Sequence, residues 1–373
     1  MNKPNATPFF VELEEEIQEH ARQKSAILKR FDNQNLLKAW NGFDRLVSEI
    51  FLQEKRMPES VIDDSYGALS LGWEITPQIF VDSEWSKNVI CLNSVPRENC
   101  NVSHKNFSSF SDIAQKCSLE NVIWKCPKSL VLCEWILSQI PVGAEFWVGG
   151  MDKYLPSSFL NLFKECGTVH VYLGQYKAHV YKVKKEKVVA EPKKNIYPSP
   201  YDSLPIESLP GVFSAAKLDM ASRLLIDTFK TTPAQRVLDF GSGCGILGFS
   251  WKAKNPDAEI TFCDDSQMAI ESSKINAKVR MVQAKYLQAF QLDMSARKYN
   301  LIISNPPFHK GTDLDVSLAF HLIRQMHSAL EVGGELWFVI PISFKCQKEL
   351  NKLFSTVTEA SQDKKNIVFI CVK

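Results

Sequence analysis

Residues 237–248 read VLDFGSGCGILG, an apolar run that meets an acid and then opens into glycines at 241, 243 and 245. RVLDF (236–240) has the unbroken apolar character of a strand covered on both faces, and GILGFSWKAK (245–254) reads as a helix starting among the glycines. Before it, LDMASRLLIDTF (218–229) has the period of an amphipathic helix. After it, AEITFCDD (258–265) reads as a strand, QMAIESSKINAK (267–278) as a helix and YNLIISNPPF (299–308) as a strand running into a loop. LDVSLAFHLIRQMHSAL (314–330) is a long helix, and GELWFVI (334–340) and KNIVFICVK (365–373) are strands. The alternation predicts a doubly wound α/β sheet.

An earlier stretch, VIDDSYGALS (61–70), looks like a spoiled copy of the same loop. Aligned on Val61 and Val237, it keeps Gly67 opposite Gly243 but has Ser65 opposite Gly241 and Leu69 opposite Gly245. Further landmarks recur in the same order. QIFVDS carries Asp82 as EITFCDD carries Asp264, and WKCPKS (124–129) stands before a helix as ISNPPF does. PVGAEFWV and EVGGELWF then share Val142/Val332, Gly143/Gly333, Glu145/Glu335 and Trp147/Trp337. Three landmarks in one order indicate internal duplication. The expected organisation is a degenerate α/β domain over residues 1–183, a Lys- and Pro-rich linker over 184–205 and an intact domain over 206–373. In the first half, residues 11–56 read as helix with a break near FDNQN, VSHKNFSSF as a polar break, and AEFWVGG and HVYLGQYK as strands. Trp147, Trp251, Trp337 and Phe338 are expected in the cores.

Composition excludes several classes. A chain of 373 residues with formal charge +2 has no strong global field, so any nucleic acid must be held by a local basic face. The start MNKPNATPFFVELEEEIQEH has no apolar run, and no window is apolar enough to span a bilayer, so the cytoplasm is the expected compartment. The ten cysteines are dispersed without a C-x-x-C pair, which predicts free thiols and no metal site.

The glycine turn lets backbone adopt positive φ and lets a ligand approach main-chain atoms. Asp264 ends the next strand, where an acid accepts hydrogen bonds from ribose hydroxyls. Alone, the turn would suit NAD or FAD equally well. Asp239 at its head disfavours a pyrophosphate and suits the ammonium of a methionyl group, which points to S-adenosylmethionine. Ser304-Asn305-Pro306-Pro307-Phe308 then follows its strand. The prolines stiffen the backbone, so the Asn305 side-chain oxygen and the Pro306 carbonyl can converge on a planar amino group and stabilise the positive charge it develops. Phe308 offers a face for a base, and Asn305 also borders the cofactor. His309 is either a base for the amino proton or a loop residue. Asp219 and Ser222 either line the methionine end or lie on a helix surface.

These motifs resemble the class I S-adenosylmethionine-dependent methyltransferases of the N-P-P-[FY] type, which methylate amino nitrogens of adenine, guanine or glutamine. GVFS (211–214), LDMASRLL (218–225), VLDFGSGCGILG and ISNPPFHKG are similar to the ribosomal RNA guanine-N2 methyltransferases. That resemblance implies two tandem Rossmann-like methyltransferase domains, the N-terminal one degenerate, and transfer to guanine N2 in ribosomal RNA. RFDNQNLLKAW (30–40), DDSYGALS, KCPKSL, DDSQMAIESSKIN and the C-terminal KELNKLFS…KKNIVFICVK resemble the large-subunit (23S) enzyme, while SLPGVF leans toward the small-subunit (16S) one. Many relatives hold the adenine amino group with an Asp or Asn at the end of the fourth strand. Here MVQAKYLQAF has none, leaving Gln283 or the backbone.

Other readings of the same residues are a DNA adenine or protein glutamine methyltransferase, a non-catalytic RNA-binding assembly factor, and a nicotinamide oxidoreductase. The chain is expected to act as a monomer, its N-terminal half positioning RNA through Lys125, Lys128 and the run Lys182, Lys184, Lys185, Lys187, Lys193 and Lys194. The bland reading of that run is a solvated surface.

Overall fold

The structure is a computed structural model that describes residues 41–65, 69–70, 76–94, 102, 104–231, 236–292, 298–306, 309–310, 313–314 and 316–373. The first part of the helix expected over 11–56, together with RFDNQNLLKAW, Gly67, Pro307 and Phe308, lies outside the described residues. The chain divides into two compact units, Met1–Lys193 and Lys194–Lys373.

The first unit runs α1 (Gly42–Gln53), β1 (Ser60–Ile62), β2 (Gln78–Phe80), α2 (Glu84–Ser94), β3 (Phe107–Ser108), α3 (Ile113–Lys116) and β4 (Val122–Lys125). It continues with α4 (Leu130–Gln139), β5 (Glu145–Met151), α5 (Ser157–Cys166), β6 (Gly167–Val171) and β7 (Ala178–Lys185). Its sheet has the order β3-β2-β1-β4-β5-β7-β6, parallel except for β7.

The second unit begins with the hairpin β8 (Asn195–Pro198) and β9 (Pro205–Ser208), then α6 (Met220–Asp227), β10 (Arg236–Phe240), α7 (Ile246–Lys254), β11 (Glu259–Asp264) and α8 (Gln267–Arg280). There follow β12 (Ala284–Gln288), β13 (Tyr299–Ser304), the short pair β14 (His309–Lys310) and β15 (Asp313–Leu314), α9 (Val316–Ala329), β16 (Leu330–Pro341), α10 (Gln347–Leu353), β17 (Thr356–Gln362) and β18 (Asn366–Val372). Its main sheet has the order β12-β11-β10-β13-β16-β18-β17, with β18 the reversed strand. Both sheets therefore share one topology, as duplication predicts.

Two sequence expectations need correction. The polar break VSHKNFSSF contains β3, an edge strand of the first sheet. The linker expected over 184–205 is mostly structured: Lys184 and Lys185 close β7, and residues 195–208 form the β8–β9 hairpin. AHVYKVKK hides a strand because its lysines alternate with Val180, Tyr181 and Val183, which are buried while Lys184 points to solvent. Lys185 is the exception to this alternation of exposed lysines. It is buried, and its Nζ donates to the Leu137 and Ile140 carbonyls that end α4.

Strand register corrects the alignment of the two copies. Ile62 pairs with Phe80 and Trp124, and Phe240 pairs with Cys263 and Ser304. Counting from those rows, Val61 stands where Asp239 does, Asp63 where Gly241 does and Lys125 where Asn305 does. Asp63 (φ 63°) and Gly241 (φ 70°) share the left-handed conformation. Each also donates its N–H to the last carbonyl paired on the neighbouring strand, Asp63 to Phe80 and Gly241 to Cys263. On this count Ser65 stands opposite Gly243 rather than Gly241, and Leu69 stands opposite Leu247 rather than a glycine.

In the second unit the two sheet faces follow the strand alternation. Leu238, Phe240 and Ile302 face α9, while Val237 and Ile303 face the side of α6 and α7. On that second face Trp251 packs edge-on against Trp337, ring centroids 5.6 Å apart. Trp147, Trp251, Trp337 and Phe338 are all buried, as expected. Each such side chain removed from water contributes about 1.5–3 kcal/mol. This core holds the carboxyl ends of β10 and β13 side by side, at the point where strand order reverses and open α/β sheets bind ligands.

Candidate active site

The glycines of the loop after β10 do different jobs. Gly241, Gly243 and Gly245 have φ of 70°, 53° and 85°, the left-handed region. A β-carbon on Gly241 would meet nothing within 4 Å, whereas one on Gly245 would come within 2.6 Å of the Phe249 ring. Gly241 thus borders open space, and Gly245 is needed for packing under the first turn of α7. A fourth glycine was not singled out in the sequence. Gly248 leaves no room for a β-carbon, which would lie 2.5 Å from the Phe262 ring, and its N–H donates to Asp239 Oδ2 at 2.8 Å. The signal was present in G-x-G-x-G-x-x-G.

Asp239 is fully buried. Its Oδ2 takes the Gly248 bond, and its Oδ1 has no partner among the described residues. Burial pushes its carboxyl well above the usual carboxylate range, the Gly248 N–H opposes this, and Asp264 adds to it. An unmatched acceptor beside a glycine cradle suits a cationic group arriving from outside. Asp264 Oδ2 accepts from Gly243 N at 2.8 Å and its Oδ1 from Ser266 N at 3.0 Å. It therefore shapes the loop.

Helix α8 fixes the back of the loop. Ser273 Oγ donates to the Gly243 carbonyl, and the buried Asn276 donates to the carbonyls of Cys244 and Glu207 while accepting from Glu207 N. Ser272 Oγ accepts from Leu209 N. Sequence reading placed Ser272, Ser273 and Asn276 on a helix without a role. Their partners lie more than 25 residues away, so no local pattern reveals them.

The Asn-Pro-Pro-Phe motif enters from β13, where Ser304 Oγ donates to the Phe240 carbonyl at 2.7 Å. Asn305 Nδ2 donates to Asp219 Oδ2 at 3.0 Å and to Ser222 Oγ at 3.0 Å. Asp219 is the N-cap of α6 and accepts from Ser222 N. The structure thus joins Asp219, Ser222 and Asn305, which sequence left as separate elements. Pro306 is buried beside them. His309 pairs with Leu314 in the short hairpin.

Two expectations fail. Gln283 precedes β12, at the amino end of the sheet and away from the loop. The residue beside Asp264 is Gln288, whose Nε2 donates to the Asp265 carbonyl. Lys125 does not present its charge to solvent, because its Nζ bonds both carboxylate oxygens of the buried Asp44 at 2.8 Å. Among the described residues, no group of His, Cys, Asp and Glu is placed to hold a metal, and no helix is long and apolar enough to cross a membrane.

Residues 203–370 match the family described as methyltransferase small domain, and residues 16–187 match the RLMG N-terminal domain. The chain is 29% identical over 326 residues to the ribosomal RNA large subunit methyltransferase G of Alcanivorax borkumensis, covering 83% of each chain. It is 28% identical over 348 residues to the protein of the same name from Shewanella sp. strain ANA-3, covering 89% of this chain and 92% of that one. Among solved structures it resembles the T. thermophilus 16S rRNA N2 G1207 methyltransferase (RsmC) in complex with AdoMet and guanosine, with TM-score 0.68, 20% identity and coverage of 84% and 88%, a likeness of fold. The two matched domains follow one another in the order of the two compact units, an RLMG N-terminal domain and then a methyltransferase small domain, in a chain that is similar along most of its length to the ribosomal RNA large subunit methyltransferases G.

Proposed function

We propose that this chain methylates the exocyclic N2 amino group of a guanine in 23S ribosomal RNA, with S-adenosylmethionine as methyl donor. The carrying observation is the Asn305 amide. Both hydrogens of its Nδ2 are taken by Asp219 and Ser222, so Oδ1 is the end left for a ligand, at the carboxyl end of β13 beside the glycine loop. The names of the relatives support the 23S over the 16S reading. Guanosine and AdoMet in the T. thermophilus structure support the base and the cofactor.

Gly241, Gly243 and Gly245 form the cradle, Asp264 holds its shape and offers lone pairs to ribose, and the orphan Oδ1 of Asp239 suits an ammonium. Bound there, S-adenosylmethionine supplies an electrophilic methyl. Asn305 Oδ1 and the Pro306 carbonyl accept the two N–H bonds of the amino group and stabilise positive charge growing on its nitrogen. Phe308 supplies a stacking face for the base, which is drawn out of its stack before reaction. No bond to the enzyme is required. The enzyme works as a monomer in the cytoplasm, where ribosomal RNA is found. RNA is positioned by the N-terminal unit through the exposed Lys128, Lys184, Lys187 and Lys193.

Asn305→Ala tests the reading. Turnover on 23S RNA should fall by about 10²–10³, as when one preorganised partner of a developing charge is removed. Cofactor affinity by calorimetry should change far less. Nucleoside digestion should yield N2-methylguanosine. A variant near wild-type rate, or methylation found on another base, overturns the proposal.

A further inference from the structure

We infer that Asp219 and Ser222 are positioning residues that determine which way round the Asn305 amide faces. This rests on the proposed role of Asn305. An asparagine side chain is nearly symmetric in shape but not in chemistry: one end accepts hydrogen bonds and the other donates two. An amino group needs the acceptor end. Turned over, Asn305 would present N–H donors to an N–H donor, and one of the two convergent acceptors would be lost.

Asp219 prevents that inversion. Its carboxylate has lone pairs and no hydrogens when ionised, so it can face only Nδ2, and it does so at 3.0 Å. Ser222 Oγ takes the second hydrogen at 3.0 Å. Asp219 is itself held, because its Oδ2 also accepts from Ser222 N at 2.9 Å as the N-cap of α6. Ser222 is buried on the same turn. A helix start thus acts as a polarity key for a side chain at the end of a strand 83 to 86 residues away in sequence. This role differs from lining the methionine end of a cofactor, because it acts on turnover rather than on cofactor binding.

The test combines Asp219→Gly and Ser222→Ala, which remove both acceptors. Glycine caps a helix nearly as well as aspartate, so α6 should persist, and an unchanged thermal melt checks this. The double variant should lose roughly tenfold to a hundredfold in kcat, with S-adenosylmethionine affinity by calorimetry within about twofold. Asp219→Asn should recover most of the rate, since its side-chain oxygen can occupy the same place. In an Asn305→Ala background the two substitutions should have no further effect on kcat, because residues acting through one group are not additive. Weakened cofactor binding with unchanged kcat would overturn the inference in favour of a direct cofactor contact. A further loss of kcat in the Asn305→Ala background would overturn it as well. If Asn305→Ala alone leaves turnover intact, the failure belongs to the proposed function, not to the key.

Discussion

The two sheets carry the same joint at their carboxyl ends and use it in opposite ways. In the second unit the acid that starts α6, Asp219, meets an amide, Asn305. In the first unit an acid in the first turn of α1, Asp44, meets an ammonium, Lys125, at the strand position that corresponds to Asn305. Helices α1 and α6 occupy equivalent places, α1 against β5 and β7 and α6 against β16 and β18. The amide keeps an acceptor in reserve, whereas the ion pair consumes its charges internally.

The loops diverge in the same sense. Asp239 keeps an oxygen without a partner, while Asp64 of the first loop is satisfied from within by Leu69 N, Ser70 N and Ser70 Oγ. Where Gly241 borders open space, Asp63 carries a side chain. Where Asp239 stands, the first unit has the buried Val61. A site kept for a ligand tolerates unmatched groups and empty space. One that has lost its ligand fills both, because unmatched buried groups are destabilising when nothing arrives to pair with them.

The largest effect expected from this contrast is at Lys125. Burial pulls its ammonium down in pKa, but Asp44, with Asp64 and Asp63 beyond, more than offsets this and holds it above its usual value. Lys125→Met leaves the Asp44 carboxylate buried with only the Asn41 N–H bonding it among the described residues, and should cost about 3 kcal/mol. Adding Asp44→Asn should recover much of the loss. Asn305→Ala, at the corresponding joint, should cost about 1 kcal/mol or less. Urea unfolding of the full chain, with hydrogen exchange read separately on β1 and β4 and on β10 and β13, distinguishes the joints. Equal losses at both would break the comparison.

A smaller stability effect, with a larger effect on binding, is expected at Gly241. Gly241→Ala places a β-carbon at positive φ, costing roughly 1–2 kcal/mol, with no neighbour to clash. Affinity for S-adenosylmethionine should nevertheless fall more than about tenfold, which at 1.4 kcal/mol per decade requires only a modest steric conflict. Retained affinity would mean that the space in front of Gly241 is not the cofactor's.

An effect read through its pH dependence concerns Asp63. Burial is the main cause that pushes its carboxyl up to about 6, Lys125 opposes it, and Asp82 and Asp64 reinforce it. An unfolded aspartate releases its proton near pH ~4. The folded state therefore holds the proton more tightly: the stability this group supplies is complete below about pH 4, and declines as pH rises toward 6. Asp63→Asn should remove that decline, making the variant more stable relative to wild type at pH 7 than at pH 4. A difference that does not vary with pH would show that Asp63 titrates normally.

Sequence reading found the glycine loop and the Asn-Pro-Pro-Phe strand end because each is a short local pattern with one demanding conformation. It recognised the duplication from landmarks but misaligned the loops by trusting the repeated Val and Asp. Strand pairing, which no single segment contains, moved Asp63 onto Gly241. Lysine-rich composition suggested a linker at 184–205, yet Lys185 is buried because α4 ends over it and offers two carbonyls. Gln283 precedes β12, so the direction of that strand puts it at the amino end of the sheet, away from the loop.

By itself, then, the sequence determined the doubly wound architecture, its repetition, the glycine turn after β10 and the Asn305-Pro306 end of β13. Periodicity, glycine conformational freedom and proline rigidity are properties of neighbouring residues, and they survive without the rest of the molecule. Tertiary structure alone decided that Asp219 and Ser222 meet the Asn305 amide, that Asn276 braces the loop, and that Lys125 pairs with Asp44 in its own half. Each of those is a hydrogen bond or ion pair between residues more than 30 positions apart, formed only once the strands and helices that carry them have packed together.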